Sequence, residues 1–389
     1  MNAVAGGAAA GLQPERLCRA AEAATGLADW GAPAFLDGLE RFCRSAVDEA
    51  GLDEARLGSV TARIHDNLVK RLALYADRAR YPVIARQEIV APLVVTGLPR
   101  SGTTILHALL AQDPAVRSPQ MWELSAISPP PRTETYRTDP RIAAGQAQID
   151  ALPAQFKAMH AMGATLPEEC NSIMTMAFRS PNFGAMARVP GYMDWLLHEA
   201  DMTPAFEIHR HVLQHLQAFA PGSRWVLKAP PYLFWPVDLF AAYPDAKVVM
   251  THRDPAEVIP SNASLVGFLI GAQSEAARSE LGAAQLEMWA LGADRMMAYR
   301  EGPGAGRQII DVHYRNFIKD QIGFVAGIYA AFGLDFTDEA RAAMTAFIAD
   351  NEQGKHGSHS YSAQQFGLDD ERVRKRFAAY LDKFDVMRA

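Results

Sequence analysis

A short loop between an apolar run and a helical segment carries residues that could bind a phosphate group. After the run 92–95 and Thr96, the sequence reads Gly97-Leu98-Pro99-Arg100-Ser101-Gly102-Thr103-Thr104. The two glycines have the Gly-x-x-x-x-Gly spacing of a phosphate-binding loop, and backbone N–H groups at the start of the following helix can point at one anion. Thr103 stands where an ATPase or GTPase carries lysine, and Arg100 supplies a positive charge instead. This combination argues against ATP and favours another phosphorylated ligand.

A second candidate anion site follows a later apolar run. Residues 247–250 are followed by Thr251-His252-Arg253-Asp254-Pro255, with a serine at 261. An arginine at the end of a strand and Ser261 about two helical turns later can hold a second phosphate. A surface ion pair of Arg253 is the alternative interpretation. Asp254-Pro255 predicts the start of a helix, because proline is favoured in the first helical turn.

The pattern of apolar runs predicts the scaffold that positions these loops. Continuous runs, typical of strands buried on both faces, occur at 91–95, 225–227, 247–250 and 308–312. Helical stretches lie at 205–219, 232–242, 276–300 and 317–332. Strands alternating with helices predict an α/β fold of the P-loop NTPase-like kind, a doubly wound parallel sheet with helices on both faces. Ligands of such sheets bind at the C-terminal ends of the strands, where both candidate loops would lie.

The rest of the chain suggests three regions. Residues 1–12 are rich in alanine and glycine and are interpreted as a flexible tail. Residues 13–88 have helical spacing of apolar side chains and predict an N-terminal helical subdomain. Residues 89–389 form the predicted phosphate-loop domain, which contains a methionine-rich insertion at 151–204.

Composition excludes several classes of function. The net charge is −6 and the pI is about 6.0, so there is no basic excess for nucleic acid or an acidic membrane. Three scattered cysteines fit neither a disulfide framework nor a metal site, and are expected to be reduced in a cytoplasmic protein. The chain shows no apolar run long enough to span a membrane and no signal peptide.

Three motifs together resemble those of the sulfotransferases that use 3′-phosphoadenosine 5′-phosphosulfate (PAPS). They are Pro-Arg-Ser-Gly-Thr-Thr, then Trp-Val-Leu-Lys-Ala-Pro, then His-Arg-Asp-Pro with a serine eight residues after the arginine. The bacterial enzymes with the arginine form of the loop, akin to tyrosylprotein sulfotransferases, are most similar. The resemblance covers about 90–385 of the chain. It implies PAPS as donor, an acceptor hydroxyl and no metal.

The resemblance also implies roles for the donor-binding residues. The 5′-phosphosulfate would be held by Arg100, Ser101, Gly102, Thr103 and Thr104. The 3′-phosphate would be held by Arg253 and Ser261, and Tyr314 would lie near the adenine end. A basic loop that touches the 3′-phosphate late in the family's chain has its counterpart at Lys355, His356 and Gly357, although this copy departs from the Arg-Lys-Gly pattern.

Sulfuryl transfer also needs a cation at the leaving oxygen and a base for the acceptor proton. Lys228, at the end of the run 225–227, is assigned to the bridging or leaving oxygen. Many relatives have a histidine two residues after this lysine, but here that position is Pro230. The first candidate base is therefore Glu123, near the glutamate position of tyrosylprotein and bacterial relatives. The alternatives are Glu168, Glu169, His252 and His160. Each also has a structural interpretation, as a helix-start charge or a core histidine.

The acceptor is less constrained than the donor. Methionines crowd the insertion, together with aromatic residues, and predict either a partly apolar pocket for a small alcohol or phenol, or ordinary core packing. No residue pattern indicates the oligomeric state. A P-loop kinase using ATP with Mg²⁺ and a non-catalytic PAPS-binding protein remain the alternative functions.

Overall fold

The computed structural model describes residues 11–153, 157, 162–351 and 362–387, which divide into two units. The first contains the described residues up to Glu88, together with Trp122–Arg141 and Cys170–Pro221. The second contains Ile89–Met121, Ile142–Glu169 and the described residues from Gly222 onward. The helices predicted at 13–88 thus share a unit with two later segments. His160, Lys355, His356, Gly357 and most of the predicted tail lie outside the described residues.

The second unit is built on a parallel sheet of five strands. The strands are β1 (Leu93–Gly97), β2 (Val116–Arg117), β3 (Arg224–Lys228), β4 (Lys247–His252) and β5 (Ile309–His313). Their order across the sheet is β2-β3-β1-β4-β5, with every pairing parallel. The predicted α/β fold with a doubly wound parallel sheet is therefore confirmed. Only the two-residue edge strand β2 has no counterpart among the predicted strands.

Helices cover the two faces of this sheet. Among the described residues, the α-helices of the second unit are Thr103–Leu110, Pro236–Ala242, Pro255–Ile270, Glu275–Glu301, Tyr314–Phe317, Gln321–Ala331, Asp338–Asp350, Asp370–Arg376 and Ala378–Lys383, and Pro140–Asp150 begins at its boundary. On one face, Leu93, Val226 and Val249 pack with side chains of the helices that follow β1 and β5. On the other face, Met250 Sδ lies 4.0 Å from Arg300 Nη1 at the end of a long helix. Strand alternation directs neighbouring side chains to these opposite layers.

The first unit is helical. Its α-helices are Pro14–Thr25, Phe35–Glu49, Glu54–Arg80, Asn171–Met174, Pro190–His198 and Thr203–Gln217, and Met121–Ser125 begins at its boundary. Phe178 and Phe183 stack with their ring centroids 5.5 Å apart, and Tyr192 packs edge-on to Phe183. Met174, Met176 and Met202 are buried as well. Part of the methionine-rich insertion thus packs in this core. No helix among the described residues is long and apolar enough to cross a membrane.

Candidate functional site

The loop after β1 is held in a shape that requires glycine at both ends. Gly97 pairs with Thr251 of β4, and a Cβ at Gly97 would lie 2.5 Å from the Thr251 carbonyl oxygen. Gly102 has a φ of +95°, and a Cβ there would lie 2.6 Å from Tyr314 Cδ2. Arg100 also has a positive φ, of 64°. The loop is therefore tightly curved and lies directly against the ring of Tyr314.

Ser101 supports the loop from inside. Its side chain is buried, and its Oγ donates a hydrogen bond to the Leu98 carbonyl oxygen at 2.5 Å. The same Oγ lies 2.6 Å from Thr251 Oγ1. The Ser101 N–H also donates to Leu98 O, at 3.3 Å. Ser101 is thus engaged within the protein through both its side chain and its N–H group.

The helix Thr103–Leu110 begins directly after the loop. Its first-turn hydrogen bond runs from the Leu106 N–H to the Gly102 carbonyl oxygen at 3.1 Å. The N–H groups that precede Leu106 have no acceptor within the helix, and together with the helix dipole they favour an anion at this end. Thr103 is buried and Thr104 is exposed. The exposed residue Thr104 therefore marks the open side of the candidate anion site.

Lys228 reaches this open side from the neighbouring strand. It ends β3 and pairs in register with Val95 of β1. Its side chain is 1% exposed, and its Nζ lies 3.3 Å from Thr104 Oγ1. The ammonium group also forms a close ion pair with the carboxylate of Glu169. A buried cation and a carboxylate thus meet beside the start of the helix.

The other two acidic candidates have different surroundings. Glu168 donates its N–H to the Pro119 carbonyl oxygen at 2.8 Å, and its carboxylate accepts the Glu169 N–H at 2.9 Å. Glu123 is buried on helix Met121–Ser125 and belongs to the first unit. Of the three candidate glutamates, Glu169 is the one whose carboxylate pairs with Lys228.

Arg253 connects the second anion loop with the first. Its Nη1 donates to the carbonyl oxygen of Arg100 at 3.2 Å, and its guanidinium lies 4.5 Å from the centre of the Tyr314 ring. Its Nε and Nη2 each lie 2.8 Å from Glu257. Ser261 is half-buried on the same helix face. The two sequence motifs are thereby brought to one edge of the sheet, with Tyr314 between them.

His252 lies in the core behind Arg253. The ring is 1% exposed, with Nε2 at 2.8 Å from Asp311 Oδ1 and Nδ1 at 2.9 Å from the Tyr380 hydroxyl. A carboxylate only accepts, so Nε2 carries the proton and Nδ1 accepts from Tyr380. Burial lowers the pKa of His252 and keeps the ring neutral. Both ring nitrogens are therefore engaged within the protein, which argues for a supporting role.

Asp311 is the centre of this buried cluster. It accepts hydrogen bonds from Arg300 at 2.6 and 2.8 Å as well as from His252. Burial acts to raise the pKa of Asp311, but the hydrogen bonds from Arg300 and His252 outweigh it and lower the pKa to about 2. The position of Asp311 in the middle of β5 does not by itself reveal these partners.

Two C-terminal residues hold the backbone that carries Arg253. The Tyr380 hydroxyl accepts a hydrogen bond from the Arg253 N–H. Arg374 donates twice to Asp254 Oδ2, at 3.1 and 2.8 Å, while Asp254 caps helix Pro255–Ile270 through the Ala256 N–H. The predicted helix start at Asp254-Pro255 is confirmed. Nothing in the sequence motifs pointed to Tyr380 or Arg374. In the described part of the chain, no group of three or more His, Cys, Asp or Glu side chains is placed to hold a metal ion.

Comparisons with known proteins give a consistent assignment. Residues 92–338 match the model of the Sulfotransferase family. The crystal structure of sulfotransferase STF1 from Mycobacterium tuberculosis H37Rv is similar at 34% identity with a TM-score of 0.82, over 94% of this chain and 98% of that one. Sulfotransferase STF9 from Mycobacterium avium is similar at 29% identity with a TM-score of 0.88, over 96% of each chain. No curated protein sequence was found to match.

Proposed function

Because the chain belongs to the sulfotransferase family, we propose that it transfers a sulfuryl group from PAPS to the hydroxyl group of a small acceptor. The observation that carries this proposal is the position of Lys228, whose ammonium group lies between Thr104 and Glu169 at the start of the helix after the loop. In-line transfer between two oxygens requires positive groups near the leaving oxygen and a base near the acceptor hydroxyl. The Lys228 cation and the helix N–H groups can supply the first, and the Glu169 carboxylate can supply the second.

The donor site fits a ligand with separate 5′ and 3′ anionic groups. Arg100, Gly102, Thr103 and Thr104 would surround the 5′-phosphosulfate at the helix start, while Ser101 holds the loop from behind. Arg253 and Ser261 would hold the 3′-phosphate. Bound PAPS supplies the sulfuryl group together with a leaving phosphate. The ring of Tyr314, which lies against both Gly102 and Arg253, separates the two anion-binding loops.

Lys228 is proposed to neutralise the charge that develops on the leaving oxygen. The Lys228 side chain is 1% exposed and its ammonium group is hydrogen-bonded to Thr104, which supports a position beside the proposed anion site before any ligand binds. Charges act more strongly in such a poorly hydrated position than in water, and a preorganised cation has little reorganisation left to do.

Glu169 is proposed as the general base that takes the acceptor proton. Its carboxylate touches Lys228 and is 22% exposed, so an acceptor hydroxyl can reach it. Glu123 is the alternative base, and the two glutamates are distinguished by the variants below. His252 is assigned a supporting role, because both of its ring nitrogens are engaged.

The acceptor is proposed to be a partly apolar alcohol or phenol. The methionine- and aromatic-rich insertion supports this class, although several of its residues also pack in the helical core of the first unit. We place the reaction in the cytoplasm, because three scattered cysteines are typical of a protein from a reducing compartment.

Calorimetric titration tests the donor assignment. Adenosine 3′,5′-bisphosphate is expected to bind without Mg²⁺ and more tightly than ATP. Arg253→Ala should weaken its binding by about ten-fold or more, because a charge-assisted hydrogen bond is worth about 1.5–3 kcal/mol. Binding of AMP, which lacks the 3′-phosphate, should change little. Tight ATP binding that requires Mg²⁺ would instead identify a kinase.

Single-turnover transfer from radiolabelled PAPS to a panel of alcohols and phenols tests the catalytic roles. Lys228→Ala should lower the rate of transfer by about 100-fold, with little effect on the affinity for adenosine 3′,5′-bisphosphate. Glu169→Gln should lower the rate similarly, whereas Glu123→Gln should not. The reverse order of the two glutamate variants would make Glu123 the base. Wild-type protein that binds the donor but sulfates no acceptor would support a non-catalytic role.

A further inference from the structure

The arginine assigned to the 3′-phosphate is already bound to a carboxylate of the protein. Arg253 Nε and Nη2 each lie 2.8 Å from Glu257 Oε2. Arg315 Nη2 lies 2.8 Å from the other oxygen, Glu257 Oε1. A single carboxylate therefore bridges two guanidinium groups, and this cluster has one more positive than negative charge among its three members.

Helix geometry places this carboxylate in the middle of the proposed 3′-phosphate site. Arg253 precedes helix Pro255–Ile270, and Glu257 and Ser261 follow it at intervals of four residues. Within the helix, Glu257 and Ser261 therefore lie on the same face, and the ion pair with Glu257 brings Arg253 to that face. All three are half-buried, while the residues between them are mostly buried. An anion held by both Arg253 and Ser261 would thus lie where the side chain of Glu257 now lies.

We propose that Glu257 takes the place of the 3′-phosphate in the free protein, and that the phosphate displaces it and is then held by Arg315 as well as by Arg253. This inference rests on the proposed function. It adds Arg315 to the donor-binding residues and makes Glu257 a determinant of specificity. A nucleotide that lacks the 3′-phosphate has no group to exchange for the carboxylate, and gains nothing from either arginine.

The surrounding contacts allow this exchange. The guanidinium of Arg253 lies against the Tyr314 ring at 4.5 Å, and its Nη1 donates to Arg100 O at 3.2 Å. Neither contact involves Glu257, so the guanidinium can keep its position when the carboxylate leaves. The side chains of Arg253, Glu257 and Arg315 are 29%, 34% and 51% exposed. The displaced carboxylate can therefore turn into water.

The charge of the ligand favours the exchange over the internal pair. Burial acts to raise the pKa of Glu257, but hydrogen bonds from Arg315 and Arg253 outweigh this and lower it, so the carboxylate is ionised at neutral pH. It offers one negative charge to two guanidinium groups, whereas a phosphate monoester carries nearly two and offers three oxygens. Partly exposed ion pairs are weak enough to be broken at little cost.

Titration of adenosine 3′,5′-bisphosphate and of AMP into three variants tests the proposal. Glu257→Gln removes the internal competitor and should raise the affinity for the bisphosphate about three-fold, the factor expected for breaking one partly exposed ion pair. Arg315→Ala should lower that affinity about ten-fold, as expected for losing one charged phosphate contact. AMP should respond less to both changes. Asp335→Asn removes an exposed negative charge elsewhere in the same unit and should leave both affinities unchanged.

The outcomes separate this inference from the proposed function. Weaker bisphosphate binding by Glu257→Gln would show that Glu257 orients Arg253, and would overturn the exchange. Unchanged bisphosphate binding by Arg315→Ala would show that Arg315 does not contact the 3′-phosphate. If Asp335→Asn raised the bisphosphate affinity as much as Glu257→Gln, the gain would come from the change in net charge alone. The proposed function itself would fail on different results, namely a wild-type preference for ATP over the bisphosphate or no effect of Arg253→Ala.

Discussion

Replacing Gly102 by alanine should damage both the stability of the protein and its affinity for the donor. Gly102 has a φ of +95°, where an L-residue is strained. An alanine in a left-handed conformation costs about 1–2 kcal/mol. The new Cβ would also lie 2.6 and 3.2 Å from two carbons of the Tyr314 ring. Overpacking of this kind costs about 1–3 kcal/mol, because ordinary carbon contacts are about 3.5–4.0 Å. The expected loss in unfolding free energy is therefore about 2–5 kcal/mol.

Equilibrium unfolding in urea measures this loss, and a control glycine is available in the same unit. A Cβ at Gly327, in helix Gln321–Ala331, would meet no atom within 4 Å. Gly327→Ala should therefore stabilise the protein by about 0.5–1 kcal/mol. The affinity for adenosine 3′,5′-bisphosphate should fall in Gly102→Ala and stay unchanged in Gly327→Ala.

The contribution of the ring is isolated by a double-mutant cycle. In a Tyr314→Ala background the steric part of the cost disappears, so Gly102→Ala should cost only the backbone part of about 1–2 kcal/mol. If Gly102→Ala costs less than about 0.5 kcal/mol and leaves binding intact, the curvature of the loop is not what positions the anion. Equal costs with and without the Tyr314 ring would refute the steric argument alone.

Three further predictions concern the buried polar groups. Arg71→Met leaves the carbonyl groups of Trp30, Ala32 and Met176 without their buried donor, and should cost about 3 kcal/mol or more in urea unfolding. Burial lowers the pKa of His209 to about 3 from 6.5, so between pH 6.5 and 4 only the unfolded state takes up this proton. As the pH is lowered through this range, the unfolding free energy should then decrease by up to about 1.4 kcal/mol per pH unit, and His209→Leu should reduce this dependence. Arg374→Ala, which unties Asp254, should raise the KM for PAPS with little change in kcat.

Each of these has a distinct contrary result. A loss below about 1 kcal/mol for Arg71→Met would mean that water replaces the guanidinium. An unchanged pH slope in His209→Leu would mean that other groups carry the acid sensitivity. A fall in kcat at unchanged KM for Arg374→Ala would place Arg374 in the chemical step.

The sheet and its loops could be predicted from the sequence because their signals are local. Strands β1, β3 and β4 contain continuous apolar runs, β5 contains apolar residues around Asp311, and Gly97 and Gly102 mark the turn into the helix. The two-residue strand β2 has no such signal, because it is too short for a hydrophobic pattern. Lys228 was correctly predicted to lie at a strand end. Because β3 is the neighbour of β1 in the sheet, this end lies beside the loop that follows β1.

The supporting contacts could not be predicted, because they join distant parts of the chain. The inward hydrogen bond of Ser101 to Thr251 depends on the strand pairing, and that of His252 to Tyr380 on how the last helices pack. The ion pair of Arg253 is a partial exception. A surface ion pair was the alternative interpretation of this arginine, but its partner Glu257 was not identified from the sequence. The proposal of Glu169 rather than Glu123 as the general base also depends on a contact between distant parts of the chain, the ion pair with Lys228.

The order of strands in the sheet has a consequence for synthesis on the ribosome. The phosphate loop emerges early, but Val95 must wait for Lys228, and Gly97 for Thr251, before β1 has neighbours on both sides. The backbone of Arg253 is also held by Tyr380, and the adjoining Asp254 by Arg374, and both partners are translated later still. A nascent chain that has been synthesised past β4 should therefore contain both candidate anion-binding loops and yet bind no nucleotide until these last helices have emerged.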